Sequence, residues 1–313
     1  MNMLLRKKSP VIFLIFGSTL IISSCSQTTT EINNKEEKFP LGKDSIIERE
    51  EIKEPEYIIT YKLDSLANEK QIDSFRTRYS YEQQKLIFAL NRLDPNRLKS
   101  GLNLIVPDTL FTDINKYSPF PEEFDILDSI PKVVLISQRI QGFALYEKGK
   151  LLKWGPVSSG KQSTPTPNGL HYGNYKAKEK ISTVNPDWLL PNYFNFMNFE
   201  GVGVHQYALP GYPASHACVR LRSEDSQFIY DWANQWKLDK TGRKIEKNGT
   251  PFMVFGEYDY ENPFPWKKLG QDAKSNHLTE VELEILKQYS LEYIKNEKNF
   301  EDTKEESEFL ALN

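Results

Sequence analysis

From Ile130 onward, short apolar runs alternate with turns rich in glycine and proline: Lys132 to Ile136, Phe143 to Tyr146, Leu151 to Val157, Gly169 to Tyr175, Val202 to His205 and Thr250 to Phe255. Each run has the length of a strand. Regular spacing of short strands favours a β-sandwich or barrel over a parallel α/β sheet. The pattern changes at Ser223, where Glu224 and Asp225 open a helix with Phe228, Trp232 and Trp236 spaced along one face. Aromatics so placed are expected in the core.

The stretch before this region has a helical period. A short apolar segment near Tyr57 leads to a polar helix over Leu63 to Arg76, and a second helix begins at Ser80. Ser80 with Gln83 forms a capping box, and Leu86, Leu90 and Leu93 follow at helical spacing. After the strands, Pro263 to Trp266 make a turn, and Thr279 with Glu282 cap a last helix on which Leu278 faces Leu283 as a staple. The end of the chain, Asn299 to Ser307, is acidic.

At the other end, Arg6, Lys7 and Lys8 precede an apolar run from Val11 to Ile22 that closes on Ser23, Ser24 and Cys25. Charged, apolar and small-residue regions in that order make a secretory leader. The run is short for a bilayer span of ~20 residues. Residues 26–56 are rich in Thr, Asn, Lys and Glu with few large apolar side chains, a composition that suits a tether.

The organisation expected is therefore a signal peptide over 1–24, a flexible tether over 25–56 and a small helical module over 57–108. A linker over 109–130, a mainly β domain over 131–257 and a C-terminal linker and helix over 258–313 follow.

Composition narrows the function. With 39% hydrophobic and 12% aromatic residues the chain can build a substantial core. Removing Arg6, Lys7 and Lys8 with the leader takes the formal charge from −3 to −6. A mildly acidic chain without a basic block is a poor partner for nucleic acid. No Gly-rich phosphate loop or paired Cys/His metal spacing is present, so no metal or organic cofactor is implied.

The chain has two cysteines. Cys25 directly follows Ile22-Ser23-Ser24, which resembles the lipobox of bacterial lipoproteins, in which that cysteine is lipidated. If Cys25 carries lipid, Cys218 has no disulfide partner in the same molecule, and a lone thiol in an exported protein points to chemistry.

Thiol catalysis needs a thiolate, a base for its proton and donors for an oxyanion. The segment Ser215-His216-Ala217-Cys218-Val219-Arg220-Leu221, with Gly201-Val202-Gly203-Val204-His205 before it, can supply all three. A loop over Gln206 to Ala214 would bring His205 beside Cys218. The backbone N–H groups of Ala217 and Cys218 are the candidate oxyanion donors. His171 and His277 are expected to be structural or in a linker. Tyr193, Phe194, Phe196 and Phe199 suit either a substrate groove or the core.

The cysteine segment resembles the L,D-transpeptidase (YkuD) family, marked by a histidine followed, after a loop, by Ser/Thr-His-Gly-Cys, a hydrophobic residue and Asn or Arg. The resemblance runs from about Val133 to Phe255. It takes in Ser137-Gln138-Arg139, Leu145 to Lys150, Pro156 to Lys161 and Thr164 to Gly169 in order. It implies a mainly β, YkuD-like β-sandwich or barrel with one or two packed helices.

It further implies Cys218 as nucleophile, His205 as base with His216 as the fallback, and the Gln206 carbonyl orienting the imidazole. Ser215, His216, Ala217 and Arg220 would shape the oxyanion or substrate site. Two departures stand out: Ala217 replaces the usual glycine, and the loop from His205 to Ser215 is shorter than the family's spacing. In the module before it, Ile87 to Pro107 resembles the tail of a LysM repeat, which binds glycan strands. It covers roughly half a repeat, and an ordinary small helical subdomain is the alternative.

The resemblance implies an enzyme that forms a Cys thioester with a peptidoglycan stem peptide and transfers it to an amine. The same acyl-enzyme delivered to water would make a hydrolase. A wall-binding lipoprotein without turnover is the reading from a different class. All three place the chain in the cell envelope, lipid-anchored through Cys25 and facing the periplasm or the extracytoplasmic wall. Which membrane holds the anchor and the oligomeric state stay open.

Overall fold

A computed structural model describes residues 58–300 of the chain. The leader, Cys25, the tether and the acidic end beyond residue 300 lie outside the described residues. The elements in chain order are β1 (Tyr61–Leu66), α1 (Glu69–Arg78), α2 (Tyr81–Leu90) and β2 (Leu102–Pro107). There follow β3 (Val133–Ser137), β4 (Gly142–Glu147), β5 (Lys150–Pro156), β6 (Gly169–Tyr172), β7 (Lys176–Ile181), β8 (Leu189–Met197), β9 (Val202–Gln206) and β10 (Val219–Leu221). The chain continues through α3 (Ser223–Trp232), β11 (Lys237–Leu238), β12 (Ile245–Lys247), β13 (Pro251–Phe255) and α4 (Glu280–Lys295).

The first four elements fold as strand, helix, helix, strand, with β1 and β2 antiparallel. The expected helix over Leu63 to Arg76 is corrected at its start, because Leu63 pairs with Ile105 across that small sheet. The helix begins only after Asn68, whose side chain accepts the Gln71 N–H at 3.1 Å. Local periodicity could not show a strand whose partner lies some forty residues away. The expected capping boxes, Ser80 with Gln83 and Thr279 with Glu282, both form. Leu278 packs on the core while Leu283 stays 36% exposed, so that pair contributes little as a staple.

The β region has two main sheets, with β11 and β12 pairing as a small antiparallel ribbon. One has five strands in the order β5-β4-β3-β13-β6, and the other four in the order β10-β9-β8-β7. Two neighbouring pairs run parallel, β3 with β13 and β9 with β10, within otherwise antiparallel sheets.

The central strands β3, β4 and β13 of the five-stranded sheet are buried on both faces, which explains why β3 reads as a continuous apolar run. Val134, Ile136, Phe252 and Val254 face a core shared with Phe194, Phe196, Val204 and Val219 of the other sheet. Val133, Leu135, Met253 and Phe255 face the opposite way. They meet Leu86, Leu90 and Ile105 of the first module and Leu286 and Tyr293 of α4. Phe120, Phe124, Leu127 and Ile130, from the stretch expected as a linker, are buried in that same cluster.

Arg92 joins the first module to the β region. Its Nε donates to the Ile140 carbonyl at 2.9 Å and its Nη1 to the Leu90 carbonyl. Its guanidinium lies 4.8 Å from the Trp266 ring centroid and 5.8 Å from that of Trp154.

Helix α3 corrects one expectation. Its inward face is Asp225, Ser226 and Ile229, whereas Phe228 is 38% exposed and Trp236 lies beyond the helix end. The ion pairs that Asp225 makes with Arg222 and Lys153 turn that first-turn acid inward. Trp232 covers the rim, where its indole N–H donates to Glu147 at 2.6 Å.

Candidate active site

Strands β9 and β10 set the geometry. Val204 pairs with Val219 and His205 with Arg220 in parallel register. Side chains alternate along a strand, so Val204 and Val219 point into the core and His205 and Arg220 point the other way. Cys218 precedes Arg220 by two positions and shares its side. His205, Cys218 and Arg220 line one pocket of about 70 Å³, together with Ser215, His216, Tyr193 and Lys180. The link between the strands, residues 207–214, carries Pro210, Gly211 and Pro213. These turn the chain sharply enough for the segment holding the thiol to return beside the histidine.

The His205 imidazole is 3% exposed, and its Nδ1 lies 3.0 Å from the Gln206 carbonyl oxygen. A carbonyl oxygen only accepts, so this contact selects the tautomer with the proton on Nδ1 and leaves Nε2 with its lone pair. Burial drives the imidazole from 6.5 down to about 4; the Gln206 carbonyl opposes this and the Arg220 charge adds to it. The ring is therefore a neutral base at physiological pH. It packs 6.4 Å from the Tyr193 ring centroid in a stacked arrangement.

Cys218 is a free, half-buried thiol. Its Sγ lies 3.7 Å from the Gly201 carbonyl oxygen, to which it donates. The Tyr193 hydroxyl donates to the same carbonyl at 2.7 Å and accepts from Asn195 Nδ2 at 2.8 Å. Burial pushes the thiol above its usual value, opposed by the Gly203 backbone N–H and the Lys180 and Arg220 charges. A thiol so placed rests protonated, and its thiolate has two cations in reach of stabilising it.

Ala217, immediately before the cysteine, has φ 75°. The position where the family has glycine thus takes the left-handed backbone, and alanine occupies it with strain. Its carbonyl accepts from Thr166 Oγ1 at 2.7 Å.

Ser215 is buried, and its backbone is held to Ser159 and Lys161 by N–H to carbonyl bonds of 3.0 and 2.9 Å. His216 Nε2 accepts from Lys161 Nζ at 3.0 Å, so its proton sits on Nδ1. Partial burial, with the Lys161 and Arg220 charges, holds that imidazole below its usual range. With its Nε2 already occupied, His216 is the poorer base. Arg220 Nη2 donates to the Ala214 carbonyl at 3.0 Å, and the guanidinium lies 4.7 Å from the Tyr207 ring centroid. His171 bonds the Pro167 carbonyl and packs on Phe196, away from the pocket.

Residues 131–276 match the model of the YkuD family, described as the L,D-transpeptidase catalytic domain. That segment is a YkuD domain. Among solved structures, an L,D-transpeptidase from Stackebrandtia nassauensis shares 25% identity over 42% of this chain and 58% of its own, with a TM-score of 0.34. An L,D-transpeptidase from Mycobacterium smegmatis shares 19% over 40% and 59%, with a TM-score of 0.32. Residues 123–326 of one from Xylanimonas cellulosilytica share 22% over 56% and 81%, with a TM-score of 0.38. The chain thus spans under three-fifths of the length of the first two. No curated protein matches the chain.

Several pocket residues of the YkuD domain carry no motif that marks them in sequence. Lys180 on β7 and Tyr193 on β8 come from strands whose local pattern is weak or mixed, and Trp188 and Tyr207 come from loops. Lys180 Nζ lies 4.1 Å from the Tyr193 ring centroid and bonds the Tyr175 hydroxyl. Of the four aromatics that suited either groove or core, Tyr193 lines the pocket, Phe194 and Phe196 are core, and Phe199 is 96% exposed.

Proposed function

We propose that the chain is a cysteine-dependent L,D-transpeptidase that forms a thioester with a peptidoglycan stem peptide and passes it to an amine acceptor. The supporting observation is that one pocket holds a free thiol and a buried, neutral imidazole whose Nδ1 is committed to the Gln206 carbonyl. His205 Nε2 takes the thiol proton as sulfur attacks the carbonyl carbon at the L-centre of the stem's diamino acid. For this the thiol turns about its Cα–Cβ bond from the Gly201 carbonyl toward the ring.

The Ala217 and Cys218 backbone N–H groups receive the oxyanion. The C–N bond then breaks, and the leaving D-residue's amine carries off the proton held by His205. An acceptor amine attacks the thioester, gives a proton to His205 and expels the sulfur, which is reprotonated. Because the buried ring resists protonation, proton transfer and attack proceed together. Lys180 and Arg220 offset negative charge on the sulfur. The leader and Cys25 support an envelope protein held to the membrane by lipid.

The test is incubation of purified protein with stem-tetrapeptide muropeptides and resolution of the products by mass. Crosslinked dimers or exchanged D-amino acids are expected, and Cys218→Ala abolishes them while remaining folded. Crosslinking retained in that variant overturns the assignment. Shortened or separated stems would identify water as the acceptor.

A further inference from the structure

The loop that joins His205 to the Cys218 segment is held in its middle by the N-terminal module. The Leu209 N–H donates to Asp94 Oδ2 at 2.7 Å, and the Asp94 N–H donates back to the Leu209 carbonyl at 2.9 Å. Leu93 and Pro210 form an antiparallel bridge next to this pair. Gly211 follows at φ +93°, where an added Cβ would stand 3.5 Å from Leu93 Cδ1 and 3.7 Å from the Asn91 carbonyl oxygen.

The end of the loop that leads to the cysteine segment is tied differently, within the YkuD domain. Ser158 Oγ donates to the Tyr212 carbonyl at 2.8 Å, and Arg220 holds the Ala214 carbonyl. The Leu209 N–H of the central turn thus relies on a carboxylate that lies outside the family's segment, in the loop after α2. Leu209 is fully buried beneath it, so loss of the carboxylate leaves its N–H without an acceptor away from water.

We propose that Asp94 is a positioning residue for the thiol chemistry: by fixing Leu209 it sets the loop that places Cys218 against His205. The N-terminal module is then part of the reactive apparatus and more than an appendage to it. This inference rests on Cys218 being the nucleophile. Asp94 touches no substrate and acts through the backbone of residues 209–211.

The experiment follows the acylation of Cys218 in the full chain by a carbapenem, by mass and over a range of concentrations, so that affinity and rate constant separate. Asp94→Asn keeps an oxygen that accepts from Leu209, whereas Asp94→Ala keeps none. Since small misplacements of reacting groups cost up to ~100-fold, the Ala variant is expected to lose at least about tenfold in the acylation rate constant with apparent affinity little changed. The Asn variant retains most of the rate.

Measurements are made below the unfolding temperature of each variant, which excludes simple loss of stability. If Asp94→Ala does not fold, Asp94→Ser, whose shorter side chain falls short of Leu209, takes its place. An Ala or Ser variant that acylates like the native chain overturns the inference, as does an equal loss in the Asn variant. Failure of the native chain to acylate would instead sink the nucleophile reading itself.

Discussion

The hydroxyl of Thr166 donates to the carbonyl of Ala217 at 2.7 Å while accepting the Gly160 N–H at 2.9 Å. One buried side chain thereby joins the residue before the thiol to two separate stretches of the YkuD domain. The run Thr164-Pro165-Thr166-Pro167-Asn168-Gly169 is thus a brace for the cysteine segment, and the left-handed turn at Ala217 is held in place from outside.

That strain makes Ala217→Gly a direct measurement. A left-handed L-residue costs roughly 1–2 kcal/mol, and glycine's greater freedom in the unfolded chain returns about 0.5–1 kcal/mol of that. The variant is expected to be more stable by about 0.5–1 kcal/mol in denaturant unfolding. A loss of stability would show that the alanine methyl is needed for packing more than the backbone needs relief.

His205 links stability to pH. Its folded value, about 4, lies below the 6.5 of the free side chain. Between these values the unfolded chain binds a proton that the folded chain refuses. The contribution is therefore fully present above pH 6.5 and is lost as pH falls toward 4, amounting to roughly 3 kcal/mol. Unfolding free energies measured across that window should slope less in His205→Gln than in the native chain. Identical slopes would mean the ring is more readily protonated in the fold than its burial implies.

Arg92 supplies a test of how the modules are joined. Arg92→Ala leaves the Ile140 and Leu90 carbonyls without their donors and removes the cation packed on Trp266 and Trp154. The expected loss is about 3 kcal/mol or more, read by urea unfolding alongside near-ultraviolet circular dichroism of the tryptophans. A near-neutral result would indicate that the packing of α2 on β5, and of β1 and β2 on residues 265–270, holds the first module without this clamp.

Legibility of the chain followed the range of the interaction. The Ser80–Gln83 and Thr279–Glu282 caps are local, and both are visible in sequence and present in the fold. The continuous apolar runs of β3 and β13 announced strands, but their parallel pairing depends on residues more than a hundred positions apart. β7 reads Lys-Ala-Lys-Glu-Lys-Ile and gave no apolar signal, because it lies at the sheet edge with its faces partly in solvent. Lys180 was missed with it.

At the candidate site, the motif marked His205, Ser215, His216, Ala217, Cys218 and Arg220, and all but Ala217 line one pocket. Ala217 in place of glycine was visible as a departure in sequence, and its left-handed backbone emerges only in the fold. The Asp94–Leu209 pair had no sequence signal, since it joins two loops from different modules.

Double-sided burial of the central strands of the five-stranded sheet carries a practical corollary for anyone cutting this gene. The family's borders, 131–276, leave out the helices that shield Val133, Leu135, Met253 and Phe255. A protein trimmed to those borders would turn an oily wall toward solvent and clump, so whoever excises the domain must carry its neighbours along.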